Sequence, residues 1–297
     1  MINKIFNILI FIFFLPVGCA TAQSRSEKLI GYNLAKPDIA FILPTILHEI
    51  SGLTNIDSAS FACIQDENGL LFIFDAVNNA IKEEYVFHID GDYEGIARVD
   101  NTIYVLRSDG IIFEIIDYAS VNFKLNTYST GIPANNNEGL CYDKANNRLL
   151  IACKGKIGKG REFKDRRVIY GFDLKTKKLT EDPVFDFDIQ KLNQFTIDHK
   201  IRIPVKTRKK DGNVVPMLKF RTSAIGIHPL THKLFLLSAS DHVLFVFNMD
   251  GNIEHIEILD PDQFNKAEGI AFFDNGDMII TNEGQDKQPT LLRFNYK

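Results

Sequence analysis

Glu94-Gly95-Ile96 has counterparts along the chain in Ser51-Gly52-Leu53, Glu138-Gly139-Leu140, Ile225-Gly226-Ile227 and Glu268-Gly269-Ile270. The glycines fall 43, 44, 87 and 43 residues apart, and 87 is close to twice the period. A repeat near 43 residues built from strand-like runs means stacked or radial β units. Other runs travel with it. A dozen residues after each glycine comes an apolar stretch ending in a polar turn, as in Ile103-Tyr104-Val105-Leu106 before Arg107-Ser108-Asp109-Gly110. A third run ends in Asp or Asn (Phe74-Asp75, Ile116-Asp117, Phe172-Asp173, Phe247-Asn248, Phe294-Asn295), and a more polar fourth follows. Short β-branched and aromatic runs between Gly, Asn and Asp turns are strand-and-hairpin chemistry. Four strands per repeat is one propeller blade. The expected fold is all-β: a β-propeller of five four-stranded blades. A sixth blade would need the 87-residue gap to hide one, but residues 190–220 read as an insertion with a basic hairpin near 206–212. A linear solenoid is disfavoured by the length of the repeat.

The last unit stops after its third strand at Lys297. Ala40-Phe41-Ile42-Leu43 stands before the first glycine at the distance of a fourth strand, so an N-terminal strand is expected to close the last blade. Closure removes an open sheet edge. The expected layout is a signal peptide over residues 1–22, a tether over 23–38 and one propeller domain over 39–297. The leader has a lysine at position 4, then a mostly apolar run from Ile5 to Val17, too short for a confident span. Leu15-Pro16-Val17-Gly18-Cys19 resembles a lipobox with Cys19 as the lipidated residue, although its proline is atypical. Ala20-Thr21-Ala22 offers an ordinary cleavage site instead. The favoured reading is a lipoprotein of the cell envelope, anchored to the outer membrane through its lipid; the other is a periplasmic or secreted protein. Cys63, Cys141 and Cys153 read as buried thiols in apolar strands.

Hydrophobic residues make up 45% of the chain, enough for a core, and a net charge of −4 gives no reason to expect nucleic acid. No P-loop, nucleophile elbow, EF-hand or zinc spacing is present. The chemistry is expected at one mouth of the central channel. Strands alternate in direction, so the start of each first strand and the hairpin between the second and third share a face. Glu94, Glu138 and Glu268 stand at the start of the innermost strands, with Ser51 in the first unit and Glu49 two residues before it. Ile225 breaks the series, with Ser223 as its polar neighbour. The hairpins add Asp66, Glu67, Arg107, Asp109, Lys154, Asp241, Asn282 and Glu283. Converging carboxylates repel unless cations compensate. Ca²⁺ held by Glu94, Glu138 and Glu268 is one compensation, since calcium takes six to eight oxygens. Arg107 and Lys154 bridging between blades is the other. The basic run over 154–167 reads as a solvated hairpin, or as an overhang that attracts an anion.

Glu49-Ile50-Ser51-Gly52-Leu53, Gly91-Asp92-Tyr93-Glu94-Gly95-Ile96, Asn137-Glu138-Gly139-Leu140-Cys141-Tyr142-Asp143, Ala267-Glu268-Gly269-Ile270 and Thr281-Asn282-Glu283-Gly284 together resemble the SdiA-regulated family of bacterial exported β-propellers. The resemblance covers about residues 30–297. It implies a propeller with Ca²⁺ near the glutamate mouth, and it delivers no activity. Two functions are therefore expected. The first is an envelope-anchored, monomeric binding module for a small ligand or an envelope protein. The alternative is a calcium-dependent hydrolase of phosphoester, ester or lactone substrates, with Arg107 or Lys154 binding the anion.

Overall fold

The computed structural model describes residues 30–297 apart from 121, 135 and 211. Cys19 and the leader lie outside the described residues. Five antiparallel sheets form a ring. Blade one holds β2 (Ile50–Asn55), β3 (Ser60–Gln65), β4 (Leu70–Asp75) and β5 (Ala80–Val86); blade two holds β6 (Tyr93–Val99), β7 (Thr102–Arg107), β8 (Ile111–Ile116) and β9 (Lys124–Ser129). Blade three runs β10 (Asn137–Asp143), β11 (Arg148–Cys153) and β12 (Arg166–Asp173), and its outer strand is split into β13 (Lys178–Leu179) and β14 (Phe185–Asp188). An insertion follows, with α1 (Ile189–Asp198) and a ribbon of β15 (Val205–Thr207) and β16 (Val214–Pro216). Blade four holds β17 (Ala224–Ile227), β18 (Leu234–Ser238), β19 (Val243–Phe247) and β20 (Ile253–Ile258). Blade five holds β21 (Ala267–Phe272), β22 (Met278–Asn282) and β23 (Thr290–Phe294), and β1 (Ile39–Ile42) completes it by pairing antiparallel with β23. No helix among the described residues is long and apolar enough to cross a membrane.

The core lies between blades, and the two-residue alternation of each strand sorts it. In β3, Phe61 and Cys63 pack toward blade five, while Ala62 and Ile64 pack toward blade two. The middle strands are therefore buried on both faces, which is why they read as unbroken apolar runs. Cys63, Cys141 and Cys153 are buried free thiols, and burial pushes Cys63 and Cys153 up to about 12. Polar links also tie neighbours. Glu114 of blade two is buried, accepts hydrogen bonds from Tyr104 (2.7 Å), Asn126 (2.8 Å) and Tyr128 (2.9 Å), and pairs with Lys177 of blade three.

The repeated glycine marks where innermost strands converge. A Cβ on Gly95 would lie 2.7 Å from the Leu140 Cβ, and one on Gly269 would lie 2.2 Å from the Thr281 Oγ1 and 2.5 Å from the Leu53 Cδ2. At Gly52 the nearest atom would be 3.1 Å away, a side-chain methyl of Ile96. Overpacking of this kind costs about 1–3 kcal/mol. Gly95→Ala and Gly269→Ala are expected to lose stability in that range, and Gly52→Ala distinctly less. Denaturant unfolding checks the order; equal losses at all three sites would refute this account.

Candidate functional site at the channel mouth

Four innermost strands share an irregularity. Pairing skips one residue between Ile50 and Gly52, Tyr93 and Gly95, Asn137 and Gly139, and Ala267 and Gly269. The skipped residues are Ser51, Glu94, Glu138 and Glu268. A bulge re-aims the side chain of the extra residue, and these four line an axial constriction with Ala224 and Ile225. Blade four has no bulge, because Ala224 pairs directly with Leu237. There the hydroxyl of Ser223 donates to the Ala267 carbonyl (2.7 Å), as that of Ser51 donates to the Tyr93 carbonyl (2.6 Å). The equivalent of the glycine is thus Ala224, two residues before the expected Gly226. The ring reads Ser51, Glu94, Glu138, Ser223, Glu268. Below it lies an apolar ring of Leu53, Ile96, Leu140, Ile225 and Ile270.

Three carboxyls at a constriction cannot all be charged. Glu138 is 2% exposed and Glu268 6% exposed. Burial, then Glu138, Asp92 and Glu268, push Glu94 up to about 9. Burial and then Glu138 push Glu268 up to about 8. Glu138 is raised by burial while Lys154, which pairs with it, pulls the other way. Burial lowers the Lys154 ammonium, but Glu138, Glu268 and Glu94 together carry it above its ordinary value. Burial thus favours the neutral form of Glu94 and Glu268, while Glu138 is paired with Lys154 and its Oε2 has no hydrogen-bond partner.

The remaining residues divide. Lys266, two residues before Glu268 in a left-handed turn (φ 57°), pairs with Glu283 and stands 3.9 Å from Glu268. Asp66 sits beside them, pushed up to about 6 by burial and then by Glu49, Glu283 and Glu67. Glu49 is outside β2 in a left-handed turn (φ 63°), and the bulge after Ile50 breaks the alternation expected to align it with Ser51. Glu67 is exposed. Arg107 does not bridge to the glutamates. It is held by Asp109 of its own hairpin (2.9 and 3.0 Å) and lies over the Phe113 ring. Asp241 is spent on its own blade, accepting from the backbone N–H of Lys219 (2.9 Å) and Phe220 (2.8 Å) and from Ser238 (2.7 Å). Asn282 is buried and donates to Gln263 and Thr290. The structure adds Arg221, His242 and Lys266, to which the repeat did not point. Lys154, Arg221, Ser223, His242, Lys266 and Glu268 line a cavity of about 330 Å³ over the constriction.

No protein-family model matches the chain, and no curated protein matches it. Among solved structures, the Myxococcus xanthus glutaminyl cyclase superposes with a TM-score of 0.56 at 12% identity, over 88% of this chain and 95% of that one. A streptogramin B lyase gives 0.48 at 12% identity over 87% and 98%, and a chain of a nidogen/laminin complex 0.48 at 12% over 81% and 74%. The ring of five four-stranded sheets defines the class as a β-propeller, and the superposition on the cyclase agrees with that fold and carries nothing on activity.

Raised carboxyl values have a signed consequence. Glu94 and Glu268 hold protons in the folded state that the unfolded chain has released above its ordinary carboxyl range. Stability therefore falls as pH rises from about 4.5 toward 9. The melting temperature is expected to decline across that window, and Glu94→Gln, which keeps the neutral shape, is expected to flatten the decline. Glu138→Gln strands Lys154 and is expected to cost about 1–3 kcal/mol, half-exposed pairs being worth less than buried ones. A wild-type melting temperature that climbs between pH 5 and 9 would contradict the assignment.

Proposed function

We propose that this propeller is a binding module that takes a small anionic ligand into the cavity at the channel mouth. The observation that carries the reading is the gathering of Lys154, Arg221 and Lys266 around one polar cavity that holds a single acid, Glu268. Arg221 makes no ion pair with a described residue, and Lys154 and Lys266 stand at the same wall. Glu268, held as a neutral acid by burial, offers an O–H donor where a carboxylate would repel. His242 has a buried Nδ1 without a partner. Charge-assisted hydrogen bonds from such groups suit a carboxylate or phosphate. The kinship with the SdiA-regulated propellers belongs to this reading, as do export through the leader, a lipid anchor at Cys19 and a place in the cell envelope.

Titration calorimetry with small carboxylates and inorganic phosphate tests it. Binding is expected at pH 7, weakening by about tenfold in Arg221→Gln and fading as pH rises past about 8, where Glu268 ionises. Absence of binding by every anion, or binding indifferent to Arg221→Gln, would sink the reading.

Calcium is the second reading, favoured by the unpartnered oxygens of Glu138 and Asn137. As arranged, the donors do not fit the ion. Lys154 occupies Glu138, and no group of three or more His, Cys, Asp and Glu that could hold a metal ion occurs among the described residues. A calcium titration alongside is expected to find no micromolar site at pH 7. Such a site, lost in Glu94→Gln, would replace the anion reading and reopen the hydrolase alternative.

A further inference from the structure

The molecule's charge is segregated. Residues 154–167 and 189–221 hold 16 of the 34 Lys and Arg but only four of the 38 Asp and Glu. The first segment joins β11 to β12; the second is the insertion between blades three and four. The fold brings them together. Ile189 donates its backbone N–H to the Asp165 carbonyl (2.8 Å), Gln190 Nε2 donates to Asp165 Oδ2 (3.0 Å), and the Arg167 guanidinium donates to the Lys219 carbonyl (3.4 Å). Both segments reach the cavity described above, one through Lys154 and the other through Arg221. Lys156, Lys159, Lys206, Lys209 and Lys210 are exposed, and none makes an ion pair with a described residue. A surface of one sign raises the local concentration of the other and steers it. Here the positive charge is gathered on two adjoining segments, each with one residue at the mouth, and is not spread around the whole molecule.

We infer that these segments and the cavity form one extended site for an acidic polysaccharide, with one uronate unit seated at Arg221 and the following carboxylates lying over the lysines of the insertion and of the 154–167 loop. The inference rests on the anion reading of the mouth. Ser240 and Gln285, which line the same cavity as Arg221, supply the neutral partners that sugar hydroxyls take. A single-stranded nucleic acid fits less well. Base stacking needs exposed aromatic faces, and every large apolar side chain exposed among the described residues is aliphatic.

The test compares galacturonate with decagalacturonate, using the chain from Gln23 onward. The decamer is expected to bind on the order of 10²-fold tighter at low salt, with the advantage falling steeply at 0.5 M salt, taken as about three times the ionic strength that already screens exposed charges. Replacing Lys156, Lys159, Lys206, Lys209 and Lys210 with Gln should erase the advantage and leave monomer binding and melting temperature unchanged, because none of these lysines belongs to the ring. Arg221→Gln should weaken both ligands. A monomer that binds with Arg221 dependence but gains nothing as a decamer overturns the extended site while sparing the mouth. A decamer advantage that survives the five replacements also overturns it. Equal or tighter binding of oligo-uridylate overturns the polysaccharide assignment, and failure of both galacturonates to bind overturns it together with its premise.

Discussion

Four residue pairs between β1 and β23 hold the ring closed. Without them blade five would present the free edge of β23, and blades five and one could separate. The glycine contacts, the shared cores and the convergence of the innermost strands all presuppose a closed circle. A five-fold ring is narrow at its axis, so small residues are needed where strands meet and polar groups there lose water. The site follows from the closure rather than being added to it.

The electrostatics at the axis show how such a ring tolerates acids. Bulges turn three glutamates inward where two other blades offer serine. Two lysines do not cancel three charges in so little space, so burial pushes Glu94 and Glu268 toward their neutral forms and Lys154 answers Glu138. Lys266 answers Glu283 in the same way one layer further out. The mouth is thus close to balanced at neutral pH. Arg221 enters it from the insertion, outside the repeat.

Most of the fold was legible because the repeat is a backbone constraint written in residue size. Glycine recurs where a Cβ would collide with the next blade, and the apolar runs recur where strands are buried on both faces. The register of blade four was misread for the same physical reason. Ala224 is small enough to replace glycine there, so the eye moves on to Gly226. The three glutamates were legible from their place beside the glycine. Lys266 and Arg221 were not, because each precedes its strand in an irregular turn, and only the opposite charge two residues before Glu268 hinted at Lys266. Arg107 and Asp109 stand in the expected hairpin, and the sequence did not reveal that residues two apart in that turn satisfy each other.

Blade five is assembled from the two ends of the described chain, with Ile39 paired to Arg293. This fixes the order of events during synthesis. Blades one to four can each form from contiguous sequence as they emerge, at the low loop-closure cost of local hairpins. The ring cannot shut until β23 has left the ribosome to pair with β1. Until then the growing chain carries an unclosed arc with open strand edges, the kind of surface that chaperones cover. A chain that lacks β23 should therefore forfeit the circle rather than one blade's worth of stability.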